Sequence, residues 1–130
     1  NVAIGVSALE DQNFTTSTDV YNVAIGDNAG ANVTTGINNT LIGGLAGDSL
    51  TDADYNTAVG FEALSADTLG SRSVAIGFNA LKIQNFTSAT DTGNTAVGFN
   101  AGQQITTGTN NVLIGSEAGD AITWVSYRWE

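Results

Sequence analysis

The reactive side chains of this 130-residue chain are thirteen carboxylates, with no histidine and no cysteine. The commonest general base, the commonest metal ligand and the thiolate nucleophile are therefore missing. Carboxylate chemistry is what remains. Two carboxylates at a suitable separation can hydrolyse a glycosidic bond. The acids Glu10, Asp11, Asp52, Asp54, Asp67 and Asp91 lie in variable segments, and nothing singles out a pair. They read as solvated corner charges, so neither a catalytic residue, a cofactor nor a metal ligand is assigned, and the expectation is a protein that is not an enzyme.

Four further groups could do chemistry. Gly43-Gly44-Leu45-Ala46-Gly47-Asp48 has the flavour of a Ca²⁺-binding Gly-rich turn. Its counterpart, Gly115 to Asp120, lacks the second glycine, so an ordinary turn is the better reading. Glycosylation sequons occur at Asn13, Asn32, Asn38 and Asn85, as composition alone produces in an Asn- and Thr-rich chain. A column of threonines (Thr15, Thr34, Thr51, Thr68, Thr87, Thr106, Thr123) would suit either a structural ladder or a flat ice-binding array. Both tryptophans close the chain. Trp124 and Trp129 flank Tyr127, with Val125, Tyr127 and Trp129 on one alternating side. They read as an apolar cap or junction, or else as a platform for a glycan.

These residues are positioned by a repeat. A nine-residue unit, Asn-(Val/Thr)-(Ala/Leu)-(Ile/Val)-Gly-x-x-Ala-(Leu/Gly), starts at Asn1, Asn22, Asn39, Asn56, Ser73, Asn94 and Asn111. The intervals are 21, 17, 17, 17, 21 and 17 residues, and residues 1–51 realign on 73–123 with a shift of 72. Seventeen residues are too few for a helical hairpin repeat, and no 3.6-residue pattern occurs. The β-branched fourth position suits a short strand. The fifth position is Gly5, Gly26, Gly43, Gly60, Gly77, Gly98 and Gly115, a sharp corner after each strand. The fold class is thus all-β: a parallel β-solenoid, or β-roll, of seven short coils over 1–123, with 124–130 as cap or junction. Stacked coils would make a hydrogen-bonded ladder of Asn22, Asn39, Asn56, Asn94 and Asn111. A second strand is expected where an apolar residue precedes Thr, as in Val33-Thr34 and Phe86-Thr87. The long coils would reach that pair through an extended corner.

Neither strand face is polar. Val/Thr and Ile/Val point one way and Ala/Leu and Gly the other. A strand of that kind is buried on both sides, so a second chain alongside is expected. Phe61, Phe78 and Phe99 add apolar surface at the sixth position. With no Met and a first residue inside a repeat, the chain reads as a piece of something longer, continued at its N-terminus.

The units Asn22–Gly26, Ser73–Gly77 and Asn94–Gly98 resemble the head repeats of YadA-like trimeric autotransporter adhesins. Gly93–Ala101, Gly-Asn-Thr-Ala-Val-Gly-Phe-Asn-Ala, is similar to the repeats of phage tail fibres. The resemblance spans 1–123, although the adhesin repeat is shorter. It implies a left-handed β-roll, assembled as a homotrimer, in a virion or cell-surface fibre used for attachment to a glycan or protein receptor. The net charge of −10, from three cations and thirteen acids, excludes a nucleic-acid backbone and an anionic membrane surface as partners. No apolar run is long enough to span a bilayer.

Overall fold

The computed structural model describes residues 1–124. It contains nine strands: β1 (Val2–Ile4), β2 (Val23–Ile25), β3 (Thr40–Ile42), β4 (Thr57–Val59), β5 (Gly70–Ser71), β6 (Val74–Ile76), β7 (Thr90–Asp91), β8 (Thr95–Val97) and β9 (Val112–Ile114). Seven of them form one parallel sheet in the order β1-β2-β3-β4-β6-β8-β9. Every pair is in register by repeat position, so Ala24 lies beside Leu41 and Leu41 beside Ala58. The chain is an all-β solenoid of seven turns, whose strands span about 29 Å from first to last at the usual strand spacing.

The sheet puts its third-position residues inside. Ala24, Leu41, Ala58, Ala75 and Ala96 are completely buried, as are the eighth-position alanines from Ala29 to Ala101. The Val/Thr and Ile/Val columns face outward. In five of the seven coils Ala or Leu at position three is matched to Leu or Gly, respectively, at position nine. Leu64 and Leu81 fill the core where the strand carries Ala58 and Ala75, whereas Leu41 pairs with Gly47. A methyl group added to Gly47 would meet Leu41 Cδ2 at 2.8 Å. In five coils one leucine is thus exchanged between the two wall positions at nearly constant volume, whereas the coils with Ala24 and Gly30 and with Ala96 and Gly102 carry none there. Ala58→Leu should therefore overpack against Leu64 and cost about 1–3 kcal/mol. Ala58→Leu with Leu64→Gly should recover most of that loss, as chemical denaturation of the two variants would show.

The opposite wall differs from the expectation. Among the described residues no strand forms at the apolar–Thr pairs, and the only second sheet is the two-stranded β5–β7. The chain bends at these threonines, so single residues bond to the next coil: Thr34 N to Thr51 O at 3.0 Å and Thr51 N to Thr68 O at 3.0 Å. Nor does an extended corner carry the pair to this level in the long coils. Asn13 N bonds to Thr34 O and Asn85 N to Thr106 O, so asparagines take the threonine level and Thr15 and Thr87 leave it as exposed residues. The core column beneath reads Gln12, Val33, Leu50, Asp67, Gln84, Ile105 and Ile122, eleven residues after each repeat start.

Candidate functional site

The side chains of Asn22, Asn39, Asn56 and Asn94 each tie their own coil to the next. Asn39 Oδ1 accepts from Asn56 N at 2.9 Å, and Asn39 Nδ2 donates to Ala53 O at 2.7 Å. Asn22, Asn56 and Asn94 repeat the pattern, donating to the carbonyls of Gly36, Gly70 and Gly108 at 2.8, 2.9 and 2.6 Å. Asn111 N closes the series on Asn94 Oδ1 at 2.9 Å. These side chains are buried. The ladder therefore runs alternately through side chain and backbone, which suits Asn because its amide supplies one donor and one acceptor on a short stem.

Ser73 interrupts the column, and a buried polar network takes its place. Gln84 Nε2 donates to Ser73 Oγ at 2.9 Å and to Asp67 Oδ2 at 2.6 Å, while Asn94 Nδ2 donates to Gln84 Oε1 at 2.7 Å. Ser73 Oγ lies 2.6 Å from Thr92 Oγ1. Asp67 Oδ1 also accepts from Gly70 N and Phe86 N at 3.1 and 3.0 Å. Asp67 is thus not a solvated corner charge: it is fully buried, at a level that Leu50 and Ile105 fill elsewhere. Its pairing was readable from Gln84 one coil later. In the first long coil Asn1 Nδ2 donates to Gln12 Oε1. The other acids in that group are exposed, except the half-buried Asp54, whose carboxylate accepts from Ile37 N at 2.8 Å.

Burial pushes the Asp67 carboxyl above its ordinary range, against the lowering effect of the bonds from Gln84, Phe86 and Gly70. Desolvation does the same to Asp48. A raised carboxyl pKa means that the folded chain binds the proton more tightly than the unfolded one. Stability from these groups is complete below the unfolded value, about 3.9, and is lost as pH rises through the raised folded value. The denaturant midpoint should therefore fall from pH 4 to pH 7, and Asp67→Asn should show the shallower fall.

The glycine corners are held by contact as well as by backbone geometry. At Gly60 φ is +134°, and a Cβ would meet Gly77 O at 2.4 Å. The same approach recurs from Gly5 to Gly98, whereas Gly115, just after β9, has among the described residues nothing closer than Ala118 Cβ at 4.0 Å.

The Gly43–Asp48 turn brings no ligand set together: among the described residues no group of three or more His, Cys, Asp or Glu could hold a metal ion. Thr34, Thr51 and Thr106 donate their hydroxyls to carbonyls of the following coil at 3.2, 3.1 and 2.9 Å. Trp124 is 77% exposed, while Tyr127 and Trp129 lie outside the described residues. No described helix is long and apolar enough to cross a membrane.

The most extended surface feature is the outer face of the seven-stranded sheet. Its second- and fourth-position columns number fourteen residues, two per strand over seven strands, and contain only Val, Ile and Thr. Beside them Phe61, Phe78 and Phe99 stack with centroids 5.7 and 5.4 Å apart and planes within 17° and 11° of parallel. Phe61 also packs against the coil below, where a Cβ on Gly44 would meet its ring at 3.3 Å. The rings therefore show edges rather than open faces, and they extend the apolar face. No family model matches the sequence, no curated protein matches it, and no solved structure matches it.

Proposed function

We propose that the chain is a structural segment of an extracellular or virion fibre, used in attachment to a host or surface, and that it assembles side by side as a homotrimer. The observation that carries this reading is the uncharged outer face. A chain of net charge −10 keeps all its charge off fourteen adjacent outward positions. Such a face meets a copy of itself without stranding a charge, and covering it removes exposed valine, isoleucine and phenylalanine from water. The similarity to YadA-like heads and tail-fibre repeats agrees with a trimer and supports a left-handed coil. The polar side chains described above are engaged in holding coil to coil, which fits a scaffold better than an active centre.

Sedimentation velocity of the native chain beside Ile42→Glu with Val59→Glu tests the assembly. Both positions face outward, so circular dichroism should be unchanged. The native chain should sediment as an oligomer and the variant as a monomer. Identical sedimentation of the two would overturn the reading.

A further inference from the structure

The residue before each leading position adopts the left-handed conformation in every coil that has one: Tyr21, Asn38, Tyr55, Arg72, Gly93 and Asn110 have φ between 51° and 64°. Glycine, and next asparagine, occupy that conformation at least cost, while bulky residues there are outliers. Gly93, Asn38 and Asn110 obey the rule and show that the backbone asks for nothing larger. Tyr21, Tyr55 and Arg72 violate it. Elsewhere the left-handed Leu64 and Leu81 fill the core, while the seventh position, with Ser7, Leu45, Glu62 and the exposed Glu117 among its residues, is left-handed in every coil. The tyrosines fill nothing. Tyr21 is 65% exposed and Tyr55 52% exposed. Two large, exposed aromatic rings at a backbone position that favours Gly or Asn are available to a ligand.

The column also has a definite chemistry. Tyr21 and Tyr55 are two coils apart, about 10 Å at the usual strand spacing, with Asn38 between them. Among the described residues neither the two phenol hydroxyls nor the Asn38 amide side chain has a hydrogen-bond partner within the chain. The Arg72 guanidinium lies 5.6 Å from the Tyr55 ring centroid and pairs with Asp91 at 3.0 Å. It lies over one face of that ring, leaving the other for a ligand, and is itself paired with a carboxylate. Asp54 lies in the next column.

We propose that this column is a binding strip for a neutral glycan chain, with Tyr21 and Tyr55 stacking on sugar rings and Asn38 bonding to hydroxyls between them. Single-file aromatics, with donors and acceptors between, match a linear polymer of apolar ring faces and hydroxyl edges. A protein hot spot would instead need surrounding apolar contacts to exclude water. An anionic glycan would meet Asp54 and Asp91, with Arg72 already engaged. The proposal deepens the attachment reading and rests on it for the use the strip would have.

Titration of the native chain with neutral gluco-, manno- and galacto-hexasaccharides, followed by tyrosine fluorescence and calorimetry, tests it. At least one should bind. Tyr21→Gly and Tyr55→Gly should each weaken that binding about tenfold, the loss of one aromatic contact. Trp124→Ala should leave it unchanged. Tyr21→Gly should also unfold at no lower denaturant concentration than the native chain, because glycine relieves the left-handed strain. Failure of all three glycans to bind, capture of a protein receptor alone, or undiminished binding by both glycine variants would overturn the strip. An oligomer that binds none of them loses the strip and keeps the fibre reading. A monomer whose binding depends on Tyr21 and Tyr55 keeps the strip and loses the fibre.

Discussion

Gly60→Ala is expected to unfold the centre of the solenoid, with a loss of more than about 4 kcal/mol. Two costs combine. A φ of +134° lies where L side chains are strained, at about 1–3 kcal/mol. The new methyl group would also sit 2.4 Å from Gly77 O, a backbone atom that cannot rotate away. Relief requires the two coils to separate, which breaks Gly77 N to Val59 O at 2.7 Å and its neighbours in the sheet. Gly115→Ala is the natural control. It has nearly the same φ, +128°, but among the described residues nothing within 4 Å except Ala118 Cβ at that limit. It should lose only the backbone strain. Urea denaturation of both variants separates conformational strain from inter-coil contact. Equal losses would show that the close approach of coils matters little.

Asn39→Ala carries the second largest effect. It strands two buried groups, the Asn56 N–H and the Ala53 carbonyl. Each uncompensated group costs about 1–3 kcal/mol, so about 2–6 kcal/mol should be lost. Asn39→Asp should not rescue the fold. A carboxylate keeps the acceptor for Asn56 N but faces Ala53 O with a second acceptor, in a fully buried place. Thermal denaturation at pH 7 should rank native above both variants. A ranking in which Asn39→Asp equals the native chain would mean that the donor to Ala53 contributes nothing.

The repeat made most of the fold legible. The leading Asn, the β-branched fourth residue and the invariant fifth glycine correspond to ladder, strand and corner because each column meets one environment in every coil. Which strand face points inward was not legible, since Val/Ile and Ala/Leu are both apolar. In five of the seven coils Ala or Leu at position three is matched with Leu or Gly at position nine, the pattern of an inward pair, but Ala24 with Gly30 and Ala96 with Gly102 break it. Apolar–Thr pairs look alike in short and long coils, so they suggest a second strand that the described residues do not form. In the long coils the residue at the core level is Gln12 or Gln84, not the phenylalanine two positions later. Residue type alone makes Asp67 a surface charge, whereas its level, shared with Leu50 and Ile105, places it inside. The tyrosine strip lay one residue outside the repeat unit, where variable residues look like linker until their backbone conformation is known.

The claim on which the account depends is that the uncharged outer face is covered by copies of the chain. The mass of the native chain in solution tests it most directly. One chain is 13.3 kDa, so three make 39.9 kDa. Sedimentation equilibrium at micromolar concentration should return the mass of three chains. A single species at the mass of one chain, holding its circular dichroism spectrum on dilution, would contradict it.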